Sequence, residues 1–226
     1  MKAVYESGVT QVLSVNAGMP QSMMNGSHTF ETGIIKRPVE GEQTLSLEGL
    51  AGDGQADLKN HGGPDKALCV YDRSRYAFYE ERLARELDAG AFGENLTVSG
   101  LDEEQVCIGD VYRLGSAIVQ LSQPRQPCFK LGVRYNFKEL PVLFQQSGYT
   151  GYYYRVLEAG TFQSGCELVL LERPEDSMTV MQANRIMYHR KQDAEAIRQL
   201  LGIQALSVSW KQQLQKRLDS LETLAD

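Results

Sequence analysis

The chain has 226 residues, enough for one large domain or a main domain with a small appendage. Its 42% hydrophobic and 23% charged residues are ordinary for a globular protein, and a net charge of −6 gives no support for binding a nucleic-acid polymer. Four scattered cysteines without a CxxC pair, and three histidines, argue against a dedicated zinc site, and no apolar run approaches the ~18 residues of a membrane span.

Met1 to Gly18 alternates polar and apolar residues with no continuous hydrophobic region, which predicts a cytoplasmic protein with free thiols. Strands are then expected at Thr10–Asn16, Gly33–Arg37, Gln43–Leu47, Ala67–Tyr71, Asn95–Val98, Val111–Leu114, Ala117–Leu121, Tyr152–Leu157 and Glu167–Leu171, from β-branched or alternating character. Many short strands broken by glycine predict a mainly β fold, a closed or partly open barrel, rather than a doubly wound parallel sheet. A long helix interrupts them, with Tyr76, Tyr79, Leu83 and Leu87 at helical spacing, Asp72 as N-cap and Gly90 as stop. A shorter one covers Lys138–Ser147.

Composition changes after Leu171. Arg173-Pro174-Glu175-Asp176 reads as a connector between a β domain over 1–173 and three helices over 178–223. Thr179 with Gln182 forms a capping-box pattern, Asp193 opens a second helix, and Ser207 precedes a third with Trp210, Leu214, Leu218 and Leu221 on one stripe. So small a bundle is marginal alone and is expected to pack on the barrel or on a partner, as a stabilising appendage or a docking module.

Three stretches carry candidate chemistry. In Gln123-Pro124-Arg125-Gln126-Pro127-Cys128-Phe129-Lys130-Leu131 two prolines argue against a helix or central strand, and cations at Arg125 and Lys130 favour a thiolate nearby. A thiolate on a stiff loop suits a soft-metal ligand or a nucleophile, and a buried packing cysteine is the plain alternative. Cys69, Cys107 and Cys166 lie in or beside apolar strands and read as packing residues. The second stretch is Gly49-Leu50-Ala51-Gly52-Asp53-Gly54 followed by Lys59-Asn60-His61-Gly62-Gly63-Pro64-Asp65-Lys66. Its glycines can form an anion-binding nest with Lys59, His61 and Lys66 as donors, or simply a tight turn. Third, Phe92-Gly93-Glu94-Asn95-Leu96 aims two polar side chains into a pocket or caps a turn. Tyr149, Tyr152, Tyr153 and Tyr154 read as sheet packing in preference to a stacking platform.

His61-Gly62-Gly63-Pro64-Asp65-Lys66-Ala67-Leu68, Phe92 to Leu96 and Gln123 to Leu131, in that order, resemble the MOSC domain family, named from the C-terminal domain of molybdenum cofactor sulfurases. The tail, with Ser207-Val208-Ser209-Trp210 leading its last helix, resembles the three-helix extension of the bacterial YiiM-type subgroup. The resemblance implies a barrel-like fold that binds a molybdenum cofactor in its molybdopterin form, with Cys128 as the metal ligand at the barrel mouth. It implies an oxidoreductase reducing N-hydroxylated compounds, such as N-hydroxylaminopurines, to amines. The cofactor's phosphate and pterin need cations and polar groups, for which Lys59, His61, Gly62, Gly63, Lys66, Asn95, Arg125 and Lys130 are the candidates. Asp65, Glu94 or His61 are the candidate proton donors. With no flavin, nicotinamide or cluster motif in the chain, electrons are expected from a separate flavin or iron–sulfur protein; the subunit itself is a monomer or homodimer. The alternative is a sulfur carrier, or a cofactor carrier without redox turnover, in which Cys128 holds a persulfide or is a passive ligand.

Overall fold

The computed structural model describes residues 10–56 and 62–223. Its thirteen strands are β1 (Gln11–Ala17), β2 (Gln21–Asn25), β3 (His28–Thr32), β4 (Arg37–Pro38), β5 (Gln43–Ser46), β6 (Gly49–Leu50) and β7 (Leu68–Asp72), then β8 (Leu96–Ser99), β9 (Val111–Leu114), β10 (Ala117–Pro124), β11 (Tyr152–Glu158), β12 (Gly160–Phe162) and β13 (Leu168–Glu172). The α-helices are α1 (Tyr76–Leu83), α2 (Phe129–Tyr135), α3 (Leu140–Ser147), α4 (Val180–Tyr188), α5 (Ala194–Gly202) and α6 (Val208–Thr223).

The fold is mainly β. Eight strands form one curled sheet in the order β13-β9-β10-β11-β7-β8-β1-β4, antiparallel throughout except for the parallel pair β7 and β8. The curl brings β1 back to the β13 end, where Gln11 bridges Glu167 and the Val12 amide donates to the Cys166 carbonyl at 2.9 Å. This short seam gives the sheet its barrel form. Alternation along each strand then creates two cores. Leu68, Val70, Leu121, Tyr152 and Tyr154 point into the barrel interior. Tyr71 points outward, where it joins Tyr76, Tyr79, Phe92, Leu131 and Phe144 in a second core beneath α1, α2 and α3.

Several local expectations change. Gly33–Arg37 is not a strand: only Arg37 pairs, within β4, because Ile34 turns into the second core and its carbonyl accepts from Arg134. A hairpin, β2–β3, lies just before it, turning through Gly26 at φ 62°. Asp72 caps a single 3-10 turn, accepting from the Ser74 amide at 2.8 Å, and α1 then ends at Ala84 in the left-handed region rather than at Gly90. The proline-flanked stretch contains both elements it was expected to lack. Gln123 and Pro124 end β10, with Pro124 tolerated as its last residue, and Cys128 occupies the N-cap position of α2.

The tail helices form as the caps predict. Thr179 and Gln182 make the reciprocal capping box, and Asp193 caps α5. Val180, Ile186, Ile197, Leu200, Trp210, Leu214 and Leu218 join the barrel's own core, so the bundle packs on the barrel. Glu103 helps to weld the joint. Its carboxylate takes the Gly151 amide at 2.8 Å and Arg75 at 3.1 Å, and its carbonyl accepts from the Met181 amide at 2.8 Å. Burial pushes this carboxyl up from 4.5 to about 7, against the pull of the Gly151 amide and Arg75. The folded protein therefore keeps the Glu103 proton to higher pH than the unfolded chain does. That contribution to stability is complete below pH 4.5 and is lost as pH rises to about 7. The urea midpoint should fall across that window, and Glu103→Gln should remove that part of the slope.

Candidate functional site

Three neighbouring strands place the site. Tyr153 of β11 lies opposite Cys69 of β7 on one side and Gln123 of β10 on the other. Cys69 and Tyr153 alternate with the inward residues Leu68, Val70, Tyr152 and Tyr154, so this row lies on the outer face of the barrel. Beyond Gln123 the chain carries Arg125 and Cys128 over the same face. The opposite wall comes from Thr32 to Ile34, Lys36, Asp53 to Ala56, Lys66, Gly93 and Asn95, and Lys130 stands at the edge. The cleft, counted with the open space at its mouth, is about 550 Å³. It opens on the side of the barrel, not at its mouth as the sequence reading had it. Two segments of the opposite wall pack closely: a Cβ on Gly33 would lie 2.4 Å from the Gly54 carbonyl oxygen.

Charge in the cleft is lopsided. Among the described residues, Lys36, Lys66, Arg125 and Lys130 line it against the single carboxylate of Asp53, within a chain whose net charge is −6. Asp53 is committed to structure. It pairs with Lys36, accepts the Gly18 amide at 3.0 Å, and takes the Asn95 side chain at 2.9 Å. Asn95 Oδ1 in turn accepts the Cys69 amide at 3.0 Å, so Asn95 lines the cleft as a strut between its walls. Arg125 is the deep cation. Its Nη2 donates to the Phe92 carbonyl at 2.5 Å, while Nη1, also buried, has no hydrogen-bond partner among the described residues. Burial opposes the Arg125 charge, but Cys69, Tyr153 and Cys128 outweigh it and raise the guanidinium above its ordinary value. A buried, unsatisfied guanidinium nitrogen facing such neighbours is suited to an anionic ligand.

The two thiols in the cleft differ. Cys69 is 5% exposed within a central strand, and burial pushes it above 9.0, with Arg125 opposing, so it stays protonated at neutral pH. Cys128 is partly exposed on a loop end, and its side chain caps nothing. Of the two, Cys128 is the more accessible thiol. At the rim beside it, Phe129 is 56% exposed and meets Phe30 of the hairpin edge-on, with ring centroids 5.4 Å apart. Lys130 Nζ closes this corner by donating to the Glu31 carbonyl at 3.2 Å.

Two residues expected to be catalytic stand elsewhere. Asp65 pairs with Arg155 at 2.7 Å and accepts the Val208 amide of α6 at 3.1 Å, outside the cleft lining. Glu94 is wholly buried below the cleft. Its carboxylate accepts from Tyr76, from the Gly90 amide at 3.0 Å, from Thr97 at 3.1 Å and from the Phe92 amide at 2.9 Å. Both are fixed by structural partners and neither is placed to pass a proton into the cleft. Gly63 takes φ 93° to enter the turn at Pro64 and faces a neighbouring hollow bordered by Thr44 to Gly52; Gly62 is not among the cleft-lining residues. Lys59 and His61 lie outside the described residues. Lys36, Asp53, Cys69 and Tyr153 were not anticipated as site residues. Strand alternation, which sets Tyr153 apart from Tyr152 and Tyr154, was the available signal for one of them.

Residues 57–169 match the family model of the MOSC domain, and residues 178–221 match that of the YiiM-like, 3-alpha helix domain. The chain belongs to the MOSC domain family. It is 53% identical over 210 residues to the uncharacterized protein YflK of Bacillus subtilis (strain 168), covering 93% of this chain and 95% of that one. YiiM from Geobacillus stearothermophilus has a crystal structure that matches this MOSC fold with a TM-score of 0.80 at 39% identity, covering 92% and 99% of the two chains. A protein of Gibberella moniliformis (strain M3125 / FGSC 7600) named a reductase is 33% identical over 184 residues, which are 79% of this chain but 32% of its own length. Among the described residues no helix is long and apolar enough to cross a membrane.

Proposed function

We propose that this MOSC protein binds a molybdenum cofactor of the molybdopterin form in the Cys128 cleft. There it reduces N-hydroxylated compounds, N-hydroxylaminopurines among them, to amines, with electrons from a separate flavin or iron–sulfur protein. The observation that carries this reading is the pairing, in one cleft, of a partly exposed thiol with a buried guanidinium whose Nη1 lacks a partner among the described residues. A sulfur ligand suits a soft molybdenum centre, and the orphan nitrogen suits the phosphate of the cofactor, so the residues present fit the group. When bound, that group would supply the two-electron chemistry by which R–NHOH, two electrons and two protons become R–NH2 and water.

The protein's share is positional. Cys128 Sγ holds the metal, and Cys69, kept protonated by burial, does not compete for it. Arg125, Lys66 and Lys130 neutralise anionic oxygens, while the Lys36–Asp53–Asn95 chain keeps the opposite wall in place. The exposed ring of Phe129 beside Phe30 gives a planar heteroaromatic substrate a surface to stack on. The relative named a reductase adds support at the level of reaction class.

Protein from a host that makes the cofactor should carry molybdenum in stoichiometric amount and form amine from an N-hydroxylaminopurine when a chemical reductant replaces the donor. Absence of molybdenum in such protein overturns the reading. Arg125→Gln should weaken cofactor retention about 10- to 100-fold, the worth of one charge-assisted hydrogen bond or two, read as molybdenum remaining after dialysis.

A further inference from the structure

We propose that the start of α6 is a clamp that fixes the Cys128 segment against the facing wall of the cleft, with Ser209 and Gln213 as positioning residues. The contacts run to both walls. On the Cys128 side, the Ser207 amide donates to the Ser122 carbonyl at 2.9 Å, Ser209 Oγ donates to Gln123 Oε1 at 3.1 Å, and Gln126 Nε2 donates to Gln213 Oε1 at 2.7 Å. On the Lys66 side, the Val208 amide donates to Asp65 Oδ2 at 3.1 Å, next to the cleft-lining Lys66. Ser122 Oγ links the two by donating to the Asp65 carbonyl at 2.5 Å.

The segment needs such an anchor. Pro127 has no amide proton, so between the Arg125 amide, bonded to the Gly151 carbonyl at 3.0 Å, and the start of α2 the segment is tied to the fold by side chains, Arg125 to the Phe92 carbonyl at 2.5 Å and Gln126 to Gln213 at 2.7 Å. The Gln126–Gln213 bond is poorly placed to serve mainly as a stabiliser. Trp210, Leu214 and Leu218 already bury the other side of α6 in the core, and the Gln126–Gln213 bond is solvent-exposed, where a hydrogen bond contributes little net stability. What such bonds do set is where a side chain stands. The three-helix extension then acts on the site itself rather than only covering the barrel.

The relevance of the clamp to turnover rests on the cofactor reading above, but its test does not. In cofactor-free protein, the rate of Cys128 alkylation by iodoacetamide is followed by peptide mass spectrometry, with partly buried Cys166 at the barrel seam as internal reference. The Ser209→Ala/Gln213→Ala double variant should alkylate Cys128 faster by about threefold or more relative to Cys166, as a freed segment samples open positions. Ser209→Thr, which keeps the hydroxyl, should leave the ratio unchanged. Gln215→Ala, which removes only a bond to Asp219 within α6, should do the same. If the double variant does not fold, the single variants are read in the same way. An unchanged Cys128 to Cys166 ratio, or an equal rise in Gln215→Ala, overturns the clamp.

Discussion

Replacing Cys128 with alanine is expected to strip molybdenum from the protein and to lower N-hydroxy reduction by more than about a hundredfold, since even groups that only support a metal ligand cost ~10–100-fold. The fold should barely notice. Cys128 is partly exposed, caps no amide of α2 and sits outside both cores, so the change in stability should be within about 0.5 kcal/mol. Cys69→Ala should show the opposite pattern. Its thiol is buried in a central strand and is held protonated, so the variant should lose stability while keeping its metal. Molybdenum content and melting temperature, measured on both variants from one cofactor-making host, decide between the thiols. Metal retained by Cys128→Ala and lost by Cys69→Ala would reverse the assignment.

Glu94→Ala is expected to be the most damaging change to the fold, at about 3–5 kcal/mol, the cost of leaving several buried partners of one carboxylate unpaired. Tyr76, Thr97 and the Phe92 amide would lose this acceptor at once, and the Gly90 amide would keep only the longer bond to Thr97 at 3.4 Å among the described residues. Glu94→Gln keeps the shape but sets an NH2 group among these donors, so it too should lower the urea midpoint. Protein that does fold should still form amine, measured per bound molybdenum. A Glu94→Gln variant with native stability and no turnover would instead restore Glu94 to the proton-transfer role that its place in Phe92-Gly93-Glu94-Asn95-Leu96 first suggested.

That residue shows where reading the chain alone succeeds and where it stops. Cys128, Arg125 and Lys130 share one short stretch, so their proximity could be read directly, and the cleft contains all of them. Glu94 and Asp65 looked equally available because a sequence displays a carboxylate without its partners. Those partners come from Tyr76 and Thr97 in one case, and from Arg155 and Val208 in the other. Lys36, Asp53 and Cys69 reach the site through strand pairing and chain crossings that local patterns do not encode. The barrel was legible from strand number and glycine punctuation. The hairpin β2–β3 was not, although Gly26-Ser27 is a two-residue turn signal, because its strands are mostly exposed and carry little alternation. The tail was read most accurately, since helix caps act within four residues and owe nothing to distant contacts.

The shared core of barrel and tail also bears on biosynthesis. Trp210, Leu214 and Leu218 pack in the same continuous interior as Val12, Leu68 and Leu121. A nascent chain that has emerged from the ribosome only as far as β13 would therefore present a greasy, half-built surface to the cell. Burial of that surface must wait until residues 208–223 have been translated, which makes this interval the period of greatest need for chaperones.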